Sequence, residues 1–229
     1  MRWALAVCSF LLCATAQTAK SEDAIQPGSG APRVGVPEDK HIAGLIPNYK
    51  TMADRSVVAP MSVKDKFVLA THDAFDPMAF VVSGMYAGVG QMVNQNESWG
   101  QGVRGYSKRY GAAIADQIQS SYFQDAIVPA LFHQDPRYYR MAYGPTGKRI
   151  LYAITRTFVT RSDAGTTQLN ASEFVGNAMQ FALSTAYYPA ESRTASEVGT
   201  KYLVQFGTDS LFNVVKEFWP DLRKKFSHH

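Results

Sequence analysis

From Ser62 onward, apolar side chains recur every three or four residues, the period of helices with one apolar face, and the breaks between these stretches carry start and stop signals. Ser62 with Asp65 has the form of a capping box and opens a helix over 63–75. Asp76-Pro77, a cap followed by proline at the first helical position, opens another over about 77–95, with Phe80, Val81, Tyr86 and Met92 set between small residues. After a loop over Asn94–Gly102, Tyr106, Tyr110, Ile114, Ile118, Tyr122 and Phe123 mark a long helix over about 105–131, which Pro129 kinks or ends. Asp135-Pro136 repeats the cap-then-proline signal and predicts a short turn through Tyr139. Gly144–Gly147 is a loop. Residues 148–160 place Ile150, Ala153, Ile154, Thr157 and Phe158 on one side of a helix. Asn170 with Glu173 caps a helix reaching about Tyr187, before Pro189. Thr194 with Glu197 caps one reaching about Phe218, with Val204, Leu211, Val215 and Phe218 on one stripe and Pro220 as its stop. Alternating strand patterns are nearly absent. The reading is all-α: one helical, bundle-like domain over 62–220 with about five main helices, followed by a basic polar tail over 221–229.

The N-terminal pattern is different. Met1-Arg2 gives a positive start, Trp3 to Cys13 is apolar apart from Ser9, and Ala14-Thr15-Ala16 is a small-x-small cleavage site. Residues 1–16 read as an export signal, because an apolar run of about eleven is half the roughly twenty residues a bilayer span takes. Cys8 and Cys13 are the only cysteines, so the chain from Gln17 onward has no disulfide, thiolate metal site or cysteine nucleophile. Leu12 and Val7 precede them where a lipidation site takes a small residue, which argues against a lipid anchor. Residues 17–61 form an arm, with turn chemistry over Gln26–Pro32 and prolines 37, 47 and 60. It is expected to be extended or disordered to about residue 40. Ile42, Leu45, Ile46 and Tyr49 favour laying the rest, from Ile42 to Val58, along the folded body.

Small residues concentrate in three helices: Ser83, Gly84, Ala87, Gly88 and Gly90; Gly111, Ala112, Ala113 and Ala115; and Gly176, Ala178, Ala182 and Ala186. Interior glycine costs about 1 kcal/mol relative to alanine. Close crossing inside a bundle accounts for it, and so does helix packing in lipid, where faces such as Gly84 to Gly88 bring backbones together. The net charge is +4, of which residues 1–16 supply one through Arg2, leaving +3. So mild a balance argues against nucleic acid as a partner and is compatible with an anionic membrane surface.

The densest polar cluster is Phe132-His133-Gln134-Asp135-Pro136-Arg137-Tyr138-Tyr139-Arg140. His133, Asp135, Arg137 and Tyr138 are candidates for an acid/base site or an anion pocket. The same residues also serve as a capped, packed junction. His72 and Asp76, four apart on one helix face, are weak metal candidates unless His133 and Asp135 converge on them. Arg161, Asp163 and Asn170, in the polar stretch after the fourth helical pattern, are binding candidates if that stretch is more than a connector. Gly100–Gly105 lacks the preceding strand of a dinucleotide fingerprint. No cofactor motif is present.

Taken together, Gly44–Tyr49, Trp99–Gly102, Gly105–Gly111, the 132–140 cluster and Tyr187-Tyr188-Pro189 resemble a group of exported bacterial envelope proteins marked by an FHQDPRYY-type motif, over about residues 42–220. The resemblance implies a bacterial envelope location and supplies no activity. The expected function is that of a non-catalytic exported helical domain in the periplasm or associated with the outer membrane. It would bind an envelope protein or lipid through peripheral membrane contact. The alternative is an envelope hydrolase using His133 and Asp135, with metal help from His72 and Asp76.

Overall fold

The structure, a computed structural model, describes residues 40–44, 46–52 and 59–227. The export signal, its two cysteines, the arm to residue 39 and Leu45 lie outside the described residues. Among the described residues six helices form the body, one for each helical stretch marked out in the sequence. Helix α1 (Val63–Ala74) has the capping box: Ser62 Oγ accepts from the Asp65 amide at 3.2 Å and Asp65 Oδ2 accepts from the Ser62 amide at 3.2 Å. In α2 (Pro77–Met92) Asp76 caps by accepting from the Met78 amide at 2.7 Å. Helix α3 (Gly102–Tyr122) runs into a π-helical turn, Phe123–Ile127, and then a last α-turn, Val128–Leu131. Pro129 causes this. It has no N–H for the carbonyl of Asp125 and its ring crowds that carbonyl, so the turn widens and the Val128 amide reaches back to Phe123. After α4 (Thr146–Phe158), α5 opens with a second π-helical turn, Ser172–Gly176, and continues as Asn177–Ser184. The two π turns pack against each other, tied by Gln124 Nε2 donating to Asn177 Oδ1 at 2.6 Å.

Three expectations are corrected. Helix α6 (Ala195–Ser227) does not stop at Pro220 but passes through it, so residues 221–227 belong to the helix and not to a tail. The turn around the proline is held from outside: the Glu217 carbonyl accepts from Arg140 Nη2 at 3.0 Å and Arg149 Nη2 at 2.8 Å. Asp135 does not cap a helix. Residues 134–135 and 138–139 are short strands, β4 (Gln134–Asp135) and β5 (Tyr138–Tyr139), although Asp135 Oδ1 does accept from the Arg137 amide two residues on, the local bond a cap would make. The stretch after α4 is a hairpin, β6 (Val159–Ser162) and β7 (Thr167–Leu169), which forms a three-stranded antiparallel sheet with β4. The N-terminal segment forms an antiparallel pair, β1 (His41–Ile42) with β2 (Ile46–Pro47), and joins the body as strand β3 (Thr51–Met52), parallel to β5 in the register Thr51 to Tyr138 and Met52 to Tyr139. Ile42 and Met52 are buried, while residues 53–58 of the stretch expected along the body lie outside the described residues.

Helices α2 and α3 cross closely where Tyr106 donates to the Gly84 carbonyl at 3.2 Å. A side-chain carbon on Gly84 would stand 3.3 Å from that hydroxyl. Close crossing thus accounts for the glycine there.

The apolar stripes exist, but they face outward. On α4, Ile150, Leu151, Ile154 and Phe158 are exposed while Arg149, Ala153 and Thr157 are buried. On α5, Val175, Met179 and Leu183 are exposed while Asn177, Gln180 and Ser184 are buried. On α1, Val63 and Phe67 point out and Lys66 and Asp73 in; α2 exposes Val81, Met85 and Met92 and buries Ser83. The largest fully buried side chains are Lys66, Gln134 and Glu217, whereas the buried apolar residues are mostly alanines. Every exposed Asp, Glu, Lys and Arg of the described helices, such as Lys64, Lys108, Lys148 and Arg223, lies in the first two or last two turns. The outer middle of the body is uncharged and apolar. No described helix is by itself long and apolar enough to cross a membrane.

Candidate functional site: a polar cavity inside an apolar shell

The inward faces of α2 to α6 line a cavity of about 1290 Å3. Its middle holds six ionisable groups, brought by elements far apart in sequence. Lys50, delivered by the turn before β3, donates to both oxygens of Asp125 at 3.1 and 2.9 Å and lies 3.3 Å from Asp73 of α1. Asp125 sits on the π turn of α3, and Glu173 sits on that of α5. Asp209 and Lys216, two turns apart on α6, complete the group. A π turn inserts one extra residue and re-aims the side chains within it, and such turns cluster at functional sites. Here both aim a carboxyl into the cavity wall.

Burial raises the Asp125 carboxyl to about 6, although the Lys50 ammonium opposes it; Asp73 adds to the rise. Burial also raises the Glu173 carboxyl, and the neighbouring charge of Asp209, to which Glu173 donates a hydrogen bond, carries it up to about 9. Glu173 therefore keeps its proton at neutral pH. Asn177 Nδ2 donates to Glu173 Oε1 at 3.0 Å and fixes its orientation. Glu173 thus fulfils only half of the capping box: its amide donates to Asn170 Oδ1 at 3.3 Å, while its carboxyl turns to Asp209. Burial lowers the Lys216 ammonium, Lys50 adds to the effect, and Asp73, Asp209 and Asp125 oppose it. At one end of the cavity Asp116 accepts from Tyr187 and, at 2.6 Å, from Tyr188. Burial raises it while those hydrogen bonds hold it back.

The 132–140 cluster lies at the other end, and most of it is structural. Asp135, 3 % exposed, accepts from Arg137 Nε at 2.9 Å, Arg137 Nη2 at 2.7 Å and Tyr139 Oη at 2.7 Å. Asparagine equals aspartate as a cap, but here it would turn an amide toward this ring of donors, so the near-neutral Asp135→Asn expected of a cap does not hold. Tyr138 donates to Glu217 at 3.1 Å. His133 is exposed, with its backbone in the left-handed region at φ 52°. His72 is also exposed, and Asp76 is occupied by His41 at 2.8 Å and by Tyr49, so these residues do not gather with Asp135. Among the described residues no three or more His, Cys, Asp or Glu side chains group to hold a metal ion. Of the hairpin candidates, Asp163 pairs with the buried Lys66 at 2.6 Å. Asn170 donates to the Thr157 carbonyl at 3.1 Å, and Arg161 lies 5.0 Å over the Tyr139 ring. Arg137, Tyr138, Arg161 and Asn170 all border the cavity.

Lys50, Asp73, Asp125, Glu173, Asp209 and Lys216 were not singled out from the sequence. The signal available was a charge on the small or polar side of an apolar stripe, as with Asp209 and Lys216 seven residues apart. Compared with protein-family models, with curated proteins and with solved structures, the chain matches none.

Proposed function

We propose that this is an exported envelope protein that seats its apolar outer helix faces in lipid and binds a small polar solute in its central cavity. The reading rests on the reversed polarity of the fold: large apolar side chains point outward from the helices that surround the cavity, and exposed helix charges are confined to helix ends. Buried polar groups and exposed apolar ones are the informative departures from an ordinary globular surface. A single protein partner covers about 800 Å2 of one face. Outward faces of helices ringing a cavity point in different directions, and acyl chains conform to all of them. Helix α4 fits insertion along a membrane surface, with Lys148 at its start beside an apolar face of Ile150, Leu151 and Ile154. Export is supported by the Met1–Ala16 leader pattern. The cavity carries the functional chemistry and the shell sets the location.

Flotation with vesicles of phosphatidylethanolamine and phosphatidylglycerol is the direct test. The protein is expected to float with the vesicles and to remain bound in high salt, since apolar burial is not screened. Leu151→Glu with Ile154→Glu, both on the exposed face, should weaken binding by at least about tenfold. A protein that stays monodisperse in buffer and leaves vesicles untouched would end this reading.

A further inference from the structure

The arginine end of the cavity carries a charge that the fold does not balance. Arg137, Arg156 and Arg161 border it, gathered around Tyr139 and Tyr152, whose hydroxyl donates to the Tyr139 carbonyl at 2.7 Å. Arg156 lies 5.1 Å over the Tyr152 ring, and Arg137 and Arg161 lie 5.7 and 5.0 Å from the Tyr139 ring centre. Asp135 is the one carboxylate paired within this group, and it is consumed by Arg137 and Tyr139. The nearby Asp163 pairs with Lys66 through Oδ2, while its Oδ1 is buried with no hydrogen-bond partner among the described residues. Neither Arg156 nor Arg161 has an ion pair among the described residues, so three guanidiniums face one carboxylate. Two of their donors are sealed from water and have no hydrogen-bond partner among the described residues: Nη1 of Arg137, a residue only 5 % exposed, and Nε of Arg156. A buried donor without an acceptor costs about 1–3 kcal/mol, more when charged, so such groups mark a functional demand.

We propose that this end of the cavity binds the phosphate group of a small solute, either inorganic phosphate or a phosphomonoester. A surplus of two positive charges matches a dianion. Guanidinium forks present more parallel N–H donors than the two oxygens of a carboxylate accept, and the three free oxygens of a phosphate use them. Arg156 and Arg161 supply the charge not used elsewhere in the fold, and the Asp135 pair holds Arg137 in place. The carboxyl-rich middle of the cavity lies beyond and repels a second anion, which leaves that region to the neutral or cationic remainder of the solute.

This inference rests on the reading of the cavity as a solute site, and its test is independent of membrane binding. The full chain, purified in the detergent or lipid that keeps it dispersed, is titrated with inorganic phosphate, glycerol 3-phosphate and succinate at constant ionic strength set by chloride. Binding is followed by calorimetry and by phosphorus NMR. Phosphate or glycerol phosphate should bind more tightly than succinate, and the tighter of the two identifies the source. Arg156→Gln should weaken that affinity by about tenfold or more. Arg156 packs over the Tyr152 ring and holds no ion pair among the described residues, and circular dichroism checks that the variant keeps its fold. Arg161→Gln should act the same way, giving a second variant in a different element. No binding beyond the chloride control, tighter binding of succinate, or unchanged affinity in both folded variants would each overturn the proposal. Failure of flotation alone would leave it standing.

Discussion

Glu217→Ala should cost about 3–5 kcal/mol of folding stability, the loss expected when one member of a buried ion pair is removed. Glu217 is fully buried on α6 and is the knot of the body. Its carboxylate accepts from Arg149 Nε at 3.0 Å, from Tyr138 Oη at 3.1 Å, and from the Met141 and Ala142 amides at 2.9 Å each. Removing it strands two partly buried amides and leaves Arg149 to Asp221, which is 45 % exposed along its side chain and 2.7 Å away. Glu217→Gln keeps the shape and one acceptor oxygen, so it should cost less, about 1–3 kcal/mol. Urea titrations followed by circular dichroism at 222 nm measure both. A loss below about 1 kcal/mol for the alanine variant would mean that α6 is held by something other than this carboxylate.

Stability should fall as pH rises from about 5 to 9, which is opposite to the common acid denaturation of proteins rich in paired carboxylates. The responsible groups are Asp125 and Glu173, whose ordinary values are 3.8 and 4.5 and whose folded values are about 6 and about 9. In the unfolded chain both ionise near the ordinary values, while in the fold they keep their protons. Each therefore contributes stability that is complete below its ordinary value and is lost as pH climbs through the folded value. The slope is about 1.4 kcal/mol per pH unit for each proton held. Asp116, which burial also raises, adds to the decline, whereas Lys216 and Lys201, whose ammonium groups burial lowers, oppose it. Asp65 and Asp76, held below the ordinary range by hydrogen bonds to Ser62 and to Tyr49 and His41, weaken the fold in stronger acid. A stability maximum near pH 4–5 follows. Glu173→Gln replaces the protonated carboxyl by an amide that can still donate to Asp209 and accept from Asn177. It should flatten the decline and make the protein more stable than its parent above pH 8, by on the order of 2–4 kcal/mol. Denaturation curves across pH 4–9 decide this. Parallel parent and variant profiles would show that Glu173 ionises normally.

Helix starts were legible because their signals are local. Ser62 with Asp65 and Asp76 with Pro77 fix a turn through bonds within three residues, and the structure contains both. Helix ends and strands were less so, because partners distant in sequence decide them. Pro220 fails to stop α6 where arginines from residues 140 and 149 hold the strained turn, and β4 becomes a strand because β6 pairs with it. The deeper miss is direction. Periodicity locates the apolar face of a helix but carries no sign saying whether that face meets a core, a partner or lipid. Ile150, Ile154 and Phe158 on α4 and Leu211 on α6 were correctly grouped, yet they point away from the body. For the same reason Glu173 was read only as part of a helix cap and Asp209, Lys216 and Glu217 drew no reading, although they line or lock the interior. The 132–140 cluster was recognisable as important from its density alone. Its division into a structural pair, Asp135 with Arg137, and donors without partners, on Arg137 and Arg156, depends on hydrogen bonds that no spacing reveals.

The central claim, an apolar shell in lipid around a polar cavity, is tested most directly by nitroxide spin labels on vesicle-bound protein. The only cysteines are Cys8 and Cys13, so replacing both with serine gives a clean background for single labels. Leu151 and Leu203 serve as outward positions, being 63 and 75 % exposed, and Thr208 serves as a cavity position. The account predicts that labels at 151 and 203 collide readily with dissolved oxygen and little with a water-soluble nickel chelate, while the label at 208 reports a polar environment. Labels at 151 and 203 that meet the nickel chelate as freely as those on an aqueous surface, with the one at 208 in an apolar environment, would contradict it.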